Sequence, residues 1–128
     1  TYNSNPAAMQ AMLPLLAATD ARRRVVVSGD MLELGPGGPA AHQALAGQIA
    51  AAGVSLFIGV GPLSALTVAS LKSRPGLEAL DFPDAAAAAR NLPERIRKGD
   101  LILVKGSRGM STEIIVAALK EALKKDGP

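Results

Sequence analysis

The chain has no cysteine and no tryptophan, and its only aromatic residues are Tyr2, Phe57 and Phe82. Without thiols there are no disulfides and no thiolate metal sites, a usage compatible with the cytoplasm. Without an aromatic platform, single-stranded nucleic-acid binding by base stacking is disfavoured. The core must therefore be aliphatic. No stretch approaches the ~20 consecutive apolar residues needed to cross a bilayer, and the polar start predicts no secretory signal. Two phosphate-binding signatures are missing as well. There is no GxxxxGK[ST], and no GxGxxG follows the first strand; Gly59-Val60-Gly61 is a fragment of that pattern and reads as a tight strand-to-helix turn.

What is present fits one domain. The 128 residues suffice for a single core. The chain opens on Thr1 rather than Met, which predicts a segment of a longer protein. Net charge is only +3. The basic clusters Arg22-Arg23-Arg24, Arg95 to Lys98 and Lys124-Lys125 are read as solvated rims rather than a nucleic-acid surface.

The organising stretch is Arg24-Val25-Val26-Val27-Ser28-Gly29-Asp30-Met31-Leu32-Glu33-Leu34-Gly35. A short β-branched run closed by glycine reads as a buried strand, about residues 24–28, and the two carboxylates follow it before a Gly-Pro break. Before it, Asn5 and Pro6 suit a helix start, and Met9, Met12, Leu13 and Leu16 share one helical face. Pro14 is expected to kink or shorten that helix. After it come a helix at 40–52, a strand at 55–60, a helix from Gly61-Pro62 to Lys72 and a strand at 79–82. A helix at 85–91 then breaks at Pro93, and a strand follows at 101–104. A last helix carries Ile114, Ile115, Ala118, Leu119, Ala122 and Leu123 on its inner face. Helices alternating with short apolar strands predict an α/β fold, with a mostly parallel sheet covered on both faces.

Ligands of such sheets gather beyond the carboxyl ends of the strands, so the polar residues there are the candidates. Asp30 and Glu33 follow the first strand, with a plain alternative in which Asp30 caps a turn and Glu33 is solvated. Lys105-Gly106-Ser107-Arg108-Gly109 joins the last strand to a helix start. Its glycines allow close backbone approach and its cations suit a phosphate or a carboxylate; the alternative is a serine cap with solvated bases. His42, the one histidine, shares a face with Leu45 and Ile49 and reads as structural rather than as a metal ligand or a base. The spacing of Asp30, Glu33 and His42 is too loose to predict a metal. No serine has a base partner evident in the sequence, so no catalytic residue is assigned within this domain. Read from residues alone, the chain binds something anionic or zwitterionic without the parts to turn it over.

Three motifs in order carry a resemblance: Tyr2-Asn3-Ser4-Asn5-Pro6; Gly29-Asp30-Met31-Leu32-Glu33-Leu34-Gly35 with His42 downstream; and Lys105-Gly106-Ser107-Arg108. Nearly end to end, the sequence resembles the C-terminal domain of the Mur ligase family, in the branch that adds D-alanyl-D-alanine to the UDP-N-acetylmuramoyl tripeptide in peptidoglycan synthesis. The resemblance implies a Rossmann-like three-layer sandwich with about six strands. It implies ATP and Mg2+ as cofactors, bound mainly by a central domain, with the UDP-sugar bound by an N-terminal domain; neither domain is in this sequence. It also implies a mechanism, in which ATP converts the substrate carboxylate to an acyl phosphate that the dipeptide amine attacks. Carried over by position, Asp30, Glu33, Lys105, Ser107 and Arg108 fall on the acceptor side, and Tyr2, Asn3 and Asn5 near the nucleotide. The expected setting is the cytoplasm, as a monomer, with neither nucleic acid nor membrane as partner.

The isolated domain is then expected to be inactive. Two alternatives stand beside this reading: a free-standing, non-catalytic α/β domain that binds a small anion, and the same domain of a related ligase with another acceptor.

Overall fold

The computed structural model describes residues 6–31 and 34–106. Helix α1 (Pro6–Ala18) leads into strand β1 (Arg23–Gly29), and a short 3-10 turn at Gly35–Gly37 opens α2 (Gly38–Ala51). There follow β2 (Leu56–Val60), α3 (Ser64–Leu71), β3 (Glu78–Phe82), α4 (Ala85–Asn91), a second 3-10 turn at Leu92–Glu94, and β4 (Asp100–Lys105). The strands form one sheet in the order β3-β2-β1-β4, and every pairing is parallel.

Strand alternation divides the core in two. Val26 and Phe57 point to one face, where Met9, Leu13, Leu16, Leu45, Ile49, Val68 and Leu71 from α1, α2 and α3 meet them. Val25, Val27, Leu56, Ile58 and Val60 point to the other, where Ala85 and Ala88 of α4, with Leu92 and Ile96, pack. Strands buried on both faces need near-continuous apolar runs, and this is why β1 and β2 show none of the polar alternation of a half-exposed sheet.

The described sheet has four strands, not the six or so that the resemblance implied. Residues 32–33 and 107–128 lie outside the described part, as does the whole of the expected last helix. Pro14 does not shorten α1, which runs unbroken to Ala18. The proline sits on the exposed side, so the carbonyl it strips of a partner is left to water rather than buried.

Two of the arginines read as solvated do structural work. The Arg23 guanidinium donates from Nε and Nη2 to the two oxygens of Asp100, at 2.9 and 2.8 Å, and from Nη2 to the Arg95 carbonyl. Since Arg23 and Asp100 are register partners, this clamp ties the amino ends of β1 and β4. Burial pushes the Asp100 carboxyl up, but hydrogen bonds from Arg23 and the Arg97 amide, with the nearby positive charges, outweigh burial and hold it below the usual carboxylate range. The Arg23 guanidinium is correspondingly raised, chiefly by its hydrogen bond to Asp100. Arg24 donates to the carbonyls of Leu16, Ala17 and Thr19, closing the end of α1 with a cation where the helix dipole is negative.

Candidate functional site

The sheet order reverses at β1. Strands β2 and β3 extend to one side of it and β4 lies on the other, while α4 covers the face opposite α1, α2 and α3. In open parallel sheets, the crevice beyond the carboxyl ends at such a reversal is where ligands bind. Here the loop after Gly29 and the loop after Lys105 leave the sheet side by side, because Ser28 and Lys105 are register partners. The two stretches singled out in the sequence, far apart in the chain, thus start from adjacent strands. Lys105 is half-buried at this edge.

Asp30 is the first residue past β1 and is only 2% exposed. Its carboxylate reaches the start of α3: the Ser64 amide donates to Oδ1 at 2.6 Å and the Leu63 amide to Oδ2 at 3.0 Å. The cap position of α3 is held by Leu63, which offers no side-chain acceptor. An acid from another strand end therefore satisfies amides that a local Ser or Asp would otherwise cap, and its charge faces the positive end of the helix dipole. Gly61 makes room for this. A Cβ there would sit 2.7 Å from the Asp30 carboxyl carbon, and its φ is +107°. Gly59 does the same for packing, since a Cβ would lie 2.9 Å from the Ser64 carbonyl oxygen and from Val68. The Gly59-Val60-Gly61 turn is thus a close-approach device.

His42, 1% exposed, extends the same polar network. Its Nε2 accepts the Met31 amide at 3.0 Å, and its Nδ1 lies 2.7 Å from the Gly38 carbonyl oxygen. One acceptor and one donor fix the ring as the neutral tautomer carrying its proton on Nδ1. Thr67 Oγ1 in turn donates to the His42 carbonyl. The residue after Asp30, α2 and α3 are so joined by buried hydrogen bonds. His42, expected to be partly buried on its helical face, is almost fully buried, with both ring nitrogens engaged.

Of the other sequence candidates, Tyr2, Asn3, Asn5, Glu33, Ser107 and Arg108 lie outside the described residues. Sequence reasoning missed the start of α3 and Thr67. A signal for the former was there: an apolar helix opening on Gly-Pro-Leu without a capping side chain must find its acceptor elsewhere.

Comparison with known proteins places this geometry. Residues 1–108 match the Mur ligase, glutamate ligase domain. The UDP-N-acetylmuramoyl-tripeptide–D-alanyl-D-alanine ligase of Escherichia coli is 36% identical over 124 residues, which is 94% of this chain and 26% of the relative. A crystal structure of MurF from Acinetobacter baumannii superposes with a TM-score of 0.80 at 27% identity, over 94% of this chain and 27% of that one. MurF ligase from Thermotoga maritima, solved in complex with ADP, gives a TM-score of 0.76 at 26% identity, over 99% of this chain and 28% of that one. The chain spans about a quarter of the length of the curated relatives it matches.

Proposed function

This chain belongs to the Mur ligase family through its glutamate ligase domain, and from that premise we propose that it is the C-terminal, acceptor-side domain of a ligase joining D-alanyl-D-alanine to a UDP-N-acetylmuramoyl tripeptide. The observation that carries this reading is the adjacency of the loops after β1 and β4 at the sheet reversal. An acidic motif and a basic one follow these neighbouring strands in the sequence, and a site offering both charges suits a zwitterionic dipeptide.

In the reaction, a carboxylate oxygen of the tripeptide attacks the γ-phosphorus of ATP and ADP leaves, giving an acyl phosphate. The dipeptide nitrogen attacks the acyl carbon, the tetrahedral intermediate expels phosphate, and the nitrogen gives up a proton. The cations Lys105 and Arg108, with Ser107, are assigned to binding the acceptor carboxylate or a phosphoryl oxygen. Asp30 has its oxygens on the α3 amides, so within the acidic pair the acceptor ammonium falls to Glu33. By the resemblance, Tyr2, Asn3 and Asn5 are assigned to the nucleotide side. ATP binding by a relative is supported by the ADP complex of the Thermotoga maritima enzyme. The family resemblance assigns Mg2+ and the triphosphate mainly to a central domain, over which this one closes. By its family resemblance the ligase is assigned to the cytoplasm, as a monomer.

The test is phosphate release and product formation by the full reading frame that encodes the chain. Release that requires ATP, the UDP-tripeptide and D-alanyl-D-alanine together is expected. Preference for a single amino acid over the dipeptide would reassign the acceptor. ATP turnover by the 128-residue chain alone would overturn the division of labour.

A further inference from the structure

We propose that His42 is a positioning residue for the acceptor side of the crevice, acting through the Met31 amide. It rests on the ligase reading above. Three observations lead to it. Strand β1 ends at Gly29, and Met31, two residues on, is buried, 1% exposed. The hydrogen bond found for the Met31 amide is the one it donates to His42 Nε2, an atom on the neighbouring helix. His42 is itself fixed at both ends, by the Gly38 carbonyl at the start of α2 and by Thr67 of α3 on its own carbonyl. Its ring is held by α2 and its backbone by α3, so the residue carries the positions of both helices to the Met31 amide. Asp30 ties that same loop to α3 from the other side. Asp30 and Met31, the first two residues past β1, are thus set from two directions.

The two ring nitrogens have different jobs, and two substitutions separate them. The side-chain oxygen of glutamine falls near the place of Nε2, so His42→Gln keeps an acceptor for Met31 and gives up the Gly38 bond. The side-chain nitrogen of asparagine falls near Nδ1, so His42→Asn keeps the Gly38 bond and abandons Met31. In the full-length ligase, His42→Asn is expected to raise KM for D-alanyl-D-alanine about tenfold, leaving KM for ATP within twofold, whereas His42→Gln stays within about threefold of wild type on all three substrates; a tenfold change corresponds to about 1.4 kcal/mol, the scale of one buried hydrogen bond. Equal KM values for the two variants, or a loss shared evenly by all substrates, would reduce His42 to a core residue and overturn the proposal. Wild-type enzyme that fails to use the dipeptide would overturn the functional reading and this role with it, so the two failures are distinct. A second measurement does not depend on the variants folding. In the 128-residue chain, whose single histidine is His42, nitrogen NMR is expected to find the proton on Nδ1 and a bare Nε2. The opposite tautomer leaves Met31 without its acceptor and refutes the mechanism.

Discussion

Asp30 offers the sharpest test of what the end of β1 is for. Its carboxylate accepts two backbone amides at the start of a helix that has no cap of its own. Replacing it with alanine leaves the buried Ser64 amide and the part-buried Leu63 amide unpaired and removes a negative charge from the helix N-terminus. Each hydrogen bond to a charged group contributes about 1.5–3 kcal/mol, and the helix-end charge ~0.3–2 kcal/mol. Asp30→Ala should therefore cost on the order of 4 kcal/mol, a large share of the ~5–15 kcal/mol that holds a domain folded. Asparagine keeps one acceptor oxygen but turns an N–H group toward the second amide, so Asp30→Asn should cost about 2 kcal/mol. Urea unfolding of the 128-residue chain at neutral pH reads both. With a slope of about 2 kcal/mol per molar urea, the midpoints should fall by about 2 M and 1 M. An Asp30→Asn midpoint indistinguishable from wild type would refute the reasoning. The carboxylate would then be held for a ligand, and Asp30 would join Glu33 as an ammonium partner.

Three further outcomes follow from particular contacts. Gly61→Ala should lower stability by about 3 kcal/mol through its positive φ and its collision with Asp30, whereas Gly35→Ala, also at positive φ but with nothing within 4 Å of the added Cβ, should cost only the backbone term of about 1 kcal/mol; equal urea midpoints would sink the close-approach account. The Asp100 carboxyl is held below its unfolded value, so its contribution is present above the ordinary carboxylate range and is lost as pH falls through the lowered folded value. Asp100→Asn should accordingly lower stability at pH 7 by about 2 kcal/mol and flatten the acid limb of the stability curve; an unchanged acid limb would count against the Arg23 clamp. In the full-length ligase, Lys105→Ala should reduce turnover by a factor of ten or more while circular dichroism stays native; unchanged turnover and acceptor affinity would remove Lys105 from the site.

Much of the fold was legible because its signals are local. Val25 to Val27 and Leu56 to Val60 are apolar runs too short for helices and buried on both faces, so type and order followed from periodicity and from the intervening glycines and prolines. The ends of these elements fell within a residue or two of the expected places for the same reason. Pro14 misled as to the length of α1, which continues past it to Ala18 with the proline on the exposed side. The arginines at 23 and 24 misled because a charge run says nothing about its partners. Asp100 and the carbonyls at the end of α1 become visible only once β1 is laid beside β4 and α1 beside β1.

By itself, then, the sequence determined the α/β class, the parallel sheet and the motifs that mark the chain as a Mur ligase domain, since composition, period and motif spacing are properties of neighbours along the chain. Only the tertiary structure decided what Asp30 and His42 do. Apart from Gly38, one turn earlier in the helix of His42, their partners at positions 63–64, 31 and 67 come from separate elements that meet only when two βα units pack on one sheet face. A buried polar group must find a partner wherever the fold supplies one, and one-dimensional spacing does not record which turn of which helix arrives there.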